Sequence, residues 1–213
     1  MAQAPNQCTR LVAKRSRAPR LAPAERRRQL IDAALSVLAD EGLGHSTHSL
    51  VAARAGVALP TVLHYYPDHA DLVEAALRRV SDFLLKGIAV RLASTVSDPA
   101  FATEEMLVTF AGAIEGNQDV VRVWLDWSTA TRHQAWPRYL AFRTEACTIV
   151  ASLLRQGQDS GSVARSLAPD EAAQVVVGLA HMIAQMHFSG SSLNQIQRVI
   201  HQLLASYLQS GEG

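Results

Sequence analysis

The sequence has few aromatic residues, two cysteines and no long apolar run. Aromatic residues make up 6% of the 213 residues, which argues against a β-sandwich, because sheets favour aromatic and β-branched side chains. No apolar run reaches the roughly 18 residues that cross a bilayer, and the basic N-terminus lacks the apolar centre of a secretion signal. Cys8 and Cys147 form no CxxC pair. We therefore expect a cytoplasmic chain with free thiols and no membrane partner.

Catalytic and metal-binding motifs are also missing. The sequence contains no HExxH, no GxSxG, no phosphate-binding loop and no Glu-x-x-His pair. His181 and His187 are six residues apart, which is not a metal-ligand spacing, and no acidic or cysteine partner accompanies them. We predict no enzymatic activity, no catalytic residue, no metal site and no cofactor. The competing classes are a small helical enzyme, a lipid carrier and an interaction module with no DNA role, and a gel shift would separate them from a DNA-binding protein.

Charge is unevenly distributed along the chain. The net charge is +1, but residues 1–66 carry nine Lys/Arg and four Asp/Glu, whereas residues 67–213 carry eleven and fifteen. Most of the positive charge lies in one stretch: Arg10, Lys14, Arg15, Arg17, Arg20 and Arg26 to Arg28. A basic N-terminal third on an acidic body indicates a polyanionic partner at one end. The alternative is a solvated, disordered tail.

Apolar residues recur at helical spacing from Pro23 onward, and no segment has the pattern of a convincing strand. We predict an all-α protein with nine helices. The first begins after Pro23 and ends at Gly42; the others cover residues 49–55, 59–66, 68–94, 98–115, a segment from 117, 137–157, 169–188 and 192–209. Asp68 and the pair Asp98-Pro99 have the residue types that open helices.

The segment 48–66 has the pattern of a helix-turn-helix. Gly56 permits the left-handed backbone of a tight turn, and Val57 would fill the corner between two short helices. Pro60 fits the first turn of the second helix. The spacing places Val51, Ala52, Ala55, Val62 and Tyr66 inward and leaves Thr61, His64 and Tyr65 outward. Such a pair of helices can place the second one in a major groove, although an ordinary helical hairpin has the same turn.

The runs AERRRQLIDAALSVLADEG and HSLVAARAGVALPTVLHYYPDHADLVEAAL resemble the DNA-binding domain of TetR-family regulators. The resemblance implies a dimer whose two recognition helices enter successive major grooves of a near-palindromic operator, with an N-terminal arm in the minor groove. It implies an arm over 1–22, a DNA-binding domain over 23–68, and a dimerisation and ligand domain over 69–213. The implied DNA-contacting residues are Arg17, Arg20, Ser49, Leu59, Thr61, His64, Tyr65 and His69.

Two positions depart from the usual TetR pattern. Ala58 stands where Ser often caps the recognition helix, which forgoes roughly 1 kcal/mol of capping. His69 stands where Lys or Arg usually follows that helix, which weakens one expected phosphate contact or makes it pH-sensitive.

The segment VVRVWLDWSTATRHQAWPRYLAF resembles the Vibrio quorum-sensing master regulators of the LuxR/HapR type, and part of it resembles a choline-sensing repressor. The matching residues line a ligand cavity in the Vibrio-type regulators, where Asn is usual at the position of Arg143. The ligand-binding residues implied here are Val80, Trp124, Trp127, Tyr139, Arg143 and Cys147. Arg143 indicates either a polar pocket or a nearby acid such as Asp126. The alternative is that the aromatic residues fill an ordinary core and Arg143 lies at the surface.

The last two predicted helices carry more apolar residues than one small domain requires. Val176, Leu179, Ile183 and Met186 lie on the first, and Ile196, Val199, Ile200, Leu203, Leu204 and Tyr207 lie on the second. Two such helices from each chain can form a four-helix dimer interface, and the family resemblance places the dimer there too. The alternative is the interior of a monomer.

Overall fold

The computed structural model describes residues 21–90 and 98–209, and that part of the chain is all-α. It contains nine α-helices and no strand, as the apolar spacing predicted. In our numbering they are α1 Pro23–Glu41, α2 His48–Ala55, α3 Leu59–Tyr65, α4 His69–Leu84, α5 Pro99–Ala113, α6 Gln118–Thr129, α7 Trp136–Ser160, α8 Pro169–Phe188 and α9 Leu193–Gln209. None of these helices is long and apolar enough to cross a membrane.

The helix ends follow from the capping residues in the sequence. Pro23 occupies the first turn of α1, where its missing N–H costs nothing, and Glu25 accepts a hydrogen bond from the Ala22 N–H. Gly42 ends α1 at a φ of 80°, which glycine adopts most readily. Asp68 and Asp98 cap α4 and α5 by accepting hydrogen bonds from the N–H groups two residues on, both at 2.9 Å.

The fourth helix changes geometry towards its end. Its inner face buries the residues that the spacing predicted: Leu72, Val73, Ala76, Leu77 and Val80. After Leu84 the chain continues as a π-helical turn, Leu85–Val90, in place of the regular helix that we expected. The predicted continuation to residue 94 lies outside the described residues.

One continuous core runs through the described part of the chain. The first helix, α1, packs against α2, α4 and α6, and α4 also packs against α6. Around the other end, α5 packs against α7, α8 and α9. The buried apolar side chains form a single cluster from Leu30 on α1 to Leu208 on α9. The helices that carry the turn at Gly56 therefore share their core with the helices that follow.

Candidate nucleic-acid interface and ligand cavity

Helices α2 and α3 are joined by a tight turn at Gly56. This residue has a φ of 65° and a ψ of 32°, the left-handed conformation that the sequence predicted. The next residue, Val57, donates its N–H to the Ala52 carbonyl at 3.0 Å and packs partly buried against the core. Val51 and Val62 are buried on the inner sides of the two helices. The turn thus fixes α3 against α2 through a small apolar contact.

The outer side of α2 and α3 is open to solvent and carries apolar side chains. Leu50, Leu59 and Leu63 are 39%, 38% and 40% exposed. His64 is exposed beside them, with its ring edge-to-face with that of Tyr65 at 5.1 Å between centroids. A short helix that exposes apolar and hydrogen-bonding groups together has the surface needed to contact base edges and thymine methyl groups.

Two polar contacts hold α2 in place. The Gln29 side-chain amide, on α1, donates to the Ala55 carbonyl at the end of α2 at 2.9 Å. At the other end, Thr47 caps the helix by accepting from the Leu50 N–H at 3.3 Å. The first contact satisfies a carbonyl that the helix leaves open and fixes α2 relative to α1.

Histidines meet where α2 and α4 begin. The rings of His48 and His69 lie edge-to-face with centroids 5.4 Å apart. Nε2 of His69 is 3.1 Å from the Ser46 hydroxyl, and Nε2 of His48 is 2.9 Å from the Tyr66 carbonyl oxygen. Partial burial lowers the pKa of His69, and the neighbouring His48 lowers it further. These contacts favour a neutral His69.

A cavity of about 90 Å³ lies among α4, α5, α6, α7 and α8. Its wall is formed by the π-helical turn and by apolar side chains of the other helices: Leu84, Leu85, Ile88, Ala89, Met106, Leu107, Phe110, Trp124, Phe142, Ala146, Val150, Val176, Val177 and Ala180. No acidic or basic residue of the described chain is in this wall. The cavity is therefore suited to an apolar occupant.

Trp124 separates the cavity from a polar layer. Its ring lies 4.0 Å from the His181 ring and 5.6 Å from that of Phe110, measured between centroids. His181 Nε2 is 3.4 Å from the Tyr139 hydroxyl, and Nδ1 is 3.2 Å from the Val177 carbonyl oxygen. Burial lowers the pKa of His181, and the charge of Arg143 lowers it further.

A second aromatic group packs beside the cavity. Trp127 is fully buried and donates its indole N–H to the Ala135 carbonyl at 3.0 Å. Its ring stacks on Phe142 at 5.7 Å and meets Tyr139 edge-on at 5.6 Å. Trp136 stacks on Tyr139, with the ring centroids 5.0 Å apart. These contacts make this group part of the packed core.

Comparison with known proteins decides the family. Residues 30–76 match the family described as bacterial regulatory proteins, tetR family. The whole chain is similar to the HTH-type transcriptional regulator LuxR of Vibrio harveyi, with 28% identity over 203 residues, 92% of this chain and 93% of that protein. The chain is a TetR-family transcriptional regulator.

Other TetR-family relatives and structures agree with this assignment. The HTH-type transcriptional regulator BetI of Cronobacter sakazakii is 35% identical over 116 residues, 51% of this chain and 54% of that protein. A TetR-like regulator from Rhodococcus superposes with a TM-score of 0.73 at 19% identity, covering 88% of this chain and 97% of that one. FadR of Bacillus subtilis, solved in complex with stearoyl-CoA, superposes with a TM-score of 0.70 at 18% identity, covering 84% and 97%. These two structures share the TetR fold.

The predicted DNA-contacting residues fall into three groups. Ser49, Leu59 and His64 are exposed on the α2–α3 surface. Thr61, Tyr65 and His69 are half-buried: Tyr65 packs against the core with the Arg27 guanidinium 5.3 Å from its ring centroid, and His69 contacts Ser46. Arg17 and Arg20 lie outside the described residues.

Of the predicted ligand-binding residues, one lies in the cavity wall and the others lie outside it. Trp124 lines the cavity, whereas Val80 is fully buried in the core of α4 and Trp127 lies in the aromatic group. Tyr139 and Cys147 are buried and Arg143 is half-buried, all three on a stripe next to the one that lines the cavity. Asp126, the example of an acid that could lie near Arg143, forms no ion pair with it among the described residues. Asp126 accepts a hydrogen bond from the Leu43 N–H at 2.9 Å.

The sequence pattern does not reveal the roles of Gln29, Asp126 and His181. Gln29 and Asp126 make contacts with the backbone 26 and 83 residues away in the chain, and spacing within a helix carries no information about such contacts. His181 was visible as one of a few polar residues on an apolar helix. That signal alone does not identify its partners, Trp124 and Tyr139.

Proposed function

We propose that this regulator binds a near-palindromic DNA operator as a homodimer, with α3 of each chain in a major groove. The observation that carries the proposal is the solvent-exposed side of α2 and α3, held by the left-handed turn at Gly56. Ser49, Leu59 and His64 supply exposed contacts on this surface, with Thr61 and Tyr65 at its edge. Arg17 and Arg20 would follow the minor groove beside it, since narrow grooves attract arginine.

We propose that the dimer forms through α8 and α9. Val175 on α8 and Leu203 on α9 are 44% and 42% exposed. On the same face of α8 as Val175 lie Gly178, with open space where a Cβ would lie, and the half-buried Leu179 and Met182. Small and apolar residues on one face allow a second copy to approach closely, and a twofold axis would bring both copies of this face together.

We further propose that a small-molecule effector binds the cavity and that the protein is a cytoplasmic regulator of the quorum-sensing type. The similarity to LuxR extends over nearly the whole of both chains, which favours this reading over a choline-sensing one, since the BetI similarity covers about half. A structural neighbour from Saccharomonospora viridis was solved in complex with choline. The cavity wall here contains no acidic residue of the described chain to balance a quaternary ammonium.

The decisive experiment is genome-wide mapping of the bound sites, followed by gel shifts on the enriched duplex and on a scrambled duplex of equal length. We expect a near-palindromic enriched site and binding at least 10³-fold tighter than to the scrambled duplex, as is typical of specific DNA-binding proteins at about physiological salt. Val175→Asp combined with Leu203→Asp should abolish the dimer in sedimentation and weaken operator binding. Equal affinity for the two duplexes would contradict the proposal.

A further inference from the structure

One residue of the cavity wall carries a polar group that the protein leaves unsatisfied. Trp124 lines the cavity and is 2% exposed, and its indole N–H has no hydrogen-bond partner among the described residues. Buried donors are nearly always paired, because leaving one unpaired costs its full desolvation. By contrast, the N–H of Trp127 is satisfied by the Ala135 carbonyl. A buried donor without a partner, on a residue that borders an apolar cavity, requires a partner that the described residues do not supply.

The neighbouring histidine cannot accept this hydrogen. Both ring nitrogens of His181 are engaged, Nδ1 with the Val177 carbonyl and Nε2 with the Tyr139 hydroxyl. Because a carbonyl only accepts, Nδ1 carries the proton and Nε2 accepts from the tyrosine. His181 therefore packs against the Trp124 ring as a neutral group whose two ring nitrogens are both hydrogen-bonded. The Trp124 N–H is left for an occupant of the cavity.

The wall also limits the charge of that occupant. It is formed by apolar side chains such as Phe110, Phe142, Met106 and Val150, and it contains no ionisable residue of the described chain. A carboxylate or ammonium placed there would be desolvated without a counter-charge, which is strongly unfavourable. Arg143 is half-buried on the adjacent stripe of α7 and outside the wall.

We propose that the effector is a small, uncharged, mainly hydrocarbon molecule with one acceptor oxygen, which accepts a hydrogen bond from the Trp124 indole N–H. This inference rests on the effector-binding part of the proposed function. The size follows from the cavity volume of about 90 Å³. A dry protein cavity of about 150 Å³ holds benzene, and this cavity is smaller, so the buried part of the ligand is no larger than one small ring. The oxygen supplies the orientation, and the ring supplies the contact area.

The test compares two rings of matched shape, cyclopentanone and methylcyclopentane, which differ in the acceptor oxygen. Dissociation constants are obtained from the rise of the unfolding midpoint with ligand concentration. We expect both rings to bind the wild-type protein. Trp124→Phe keeps an aromatic ring but removes the N–H, so it should weaken cyclopentanone about 5- to 10-fold and methylcyclopentane less than about 2-fold. Trp127→Phe, which removes an N–H away from the cavity, is the matched control and should leave the ratio of the two constants unchanged.

A measurement on the wild-type protein covers the case in which Trp124→Phe fails to fold. In ¹⁵N-labelled protein, cyclopentanone should move the indole N–H resonance of Trp124 downfield, and methylcyclopentane should not. Trp127→Phe and Trp136→Phe assign the other two indole signals by elimination. An unchanged Trp124 signal at saturating cyclopentanone would overturn the inference. So would an equal loss of affinity for cyclopentanone and methylcyclopentane in Trp124→Phe.

Charged probes test the inference that the ligand is uncharged. Choline and cyclopentanecarboxylate should each bind at least about 10-fold more weakly than cyclopentanone, because the wall offers neither a counter-charge. Tighter binding of either probe, or no binding of either ring, would overturn the proposed ligand class. A gel shift on the same protein samples separates this outcome from failure of the proposed function. Specific operator binding would leave the DNA-binding proposal intact. Its absence would contradict that proposal, whatever the result with the ring compounds.

Discussion

The carboxylate of Asp126, on α6, accepts a 2.9 Å hydrogen bond from the backbone N–H of Leu43, in the segment that leads from α1 to α2. Two residues earlier on α6, Trp124 lines the cavity. A single helix therefore contacts both the candidate ligand site and the segment that leads to α2 and α3. This contact is local and polar, so it can be removed without disturbing the core.

Asp126→Ala should destabilise the fold by about 1 kcal/mol or more, because the N–H of the buried Leu43 loses a charge-assisted partner. Chemical denaturation measures the free energy of unfolding. Asp159→Ala, an exposed acid near the end of α7, is the control and should stay within about 0.5 kcal/mol of wild type. Equal values for the two variants would show that the hydrogen bond contributes nothing measurable.

Deletion of residues 1–20 should weaken operator binding at least about 10-fold and flatten its dependence on salt. The deleted stretch contains Arg10, Lys14, Arg15, Arg17 and Arg20, and each phosphate that a protein charge neutralises releases counterions. Fluorescence anisotropy over a series of salt concentrations gives both quantities. Restoring the segment with Arg17 and Arg20 replaced by Gln separates these two arginines from the rest. Unchanged affinity and slope after the deletion would eliminate the minor-groove role.

Thr61→Ala and His64→Ala should each cost roughly 1–3 kcal/mol of binding to the operator and little of binding to random DNA. His64 is exposed on α3, and Thr61 is half-buried one turn earlier. Competition gel shifts with specific and random duplexes measure the difference. Gln156→Ala, exposed on α7, serves as a remote control. Equal losses on both duplexes would indicate phosphate contact or a folding defect in place of base readout.

Trp127→Ala should cost about 3–5 kcal/mol of stability, as expected for a large residue in a packed core. Trp124→Ala should cost at least about 1 kcal/mol less, because part of its ring already borders empty space. Both tryptophans are almost fully buried, so exposure alone predicts the same loss of stability for the two variants. Urea unfolding measures the free energy of unfolding of each. A larger cost for Trp124→Ala would mean that its contacts with Phe110 and His181 dominate and that the cavity is not a ligand site.

The stability of the protein should fall as the pH falls through the histidine range. The pKa of His69 is lowered by burial and by His48, with Asp68 opposing; His133 lowers it further. Below the unfolded value of about 6.5, the unfolded chain binds a proton that the folded chain resists, so stability is retained above that pH and lost below it. The difference in unfolding free energy between wild type and His69→Gln should therefore decrease between about pH 7.5 and 5. A constant difference would show that His69 titrates normally.

Local chemistry made much of the fold predictable. Pro23, Asp68 and Asp98 open helices in the structure as their residue types indicated, and Gly42 and Gly56 have the positive φ that ends them. These features depend on a few neighbouring residues, which the sequence states directly. The π-helical turn after Leu84 depends on packing between distant helices and has no such local signature.

The cavity was harder to place for a geometric reason. A spacing of three and four residues defines a stripe on a helix but not the neighbour that the stripe faces. On α7 the predicted stripe was Tyr139, Arg143 and Cys147, whereas the cavity wall uses Phe142, Ala146 and Val150, a rotation of about one residue. Choosing between adjacent stripes requires knowing where α5, α6 and α8 lie. Trp124, which lines the cavity, was identifiable because the motif around it resembles a family with a pocket there.

The continuous core from α1 to α9 has a consequence for how the molecule melts. Because Leu30 and the cavity-lining side chains belong to one apolar cluster, the helices on either side of Asp68 should unfold together in a single cooperative transition. A compound bound among α5, α6, α7 and α8 would then raise the melting temperature of α3 as much as that of the helices it touches. Helix α3 would gain thermal protection from a molecule that never reaches it.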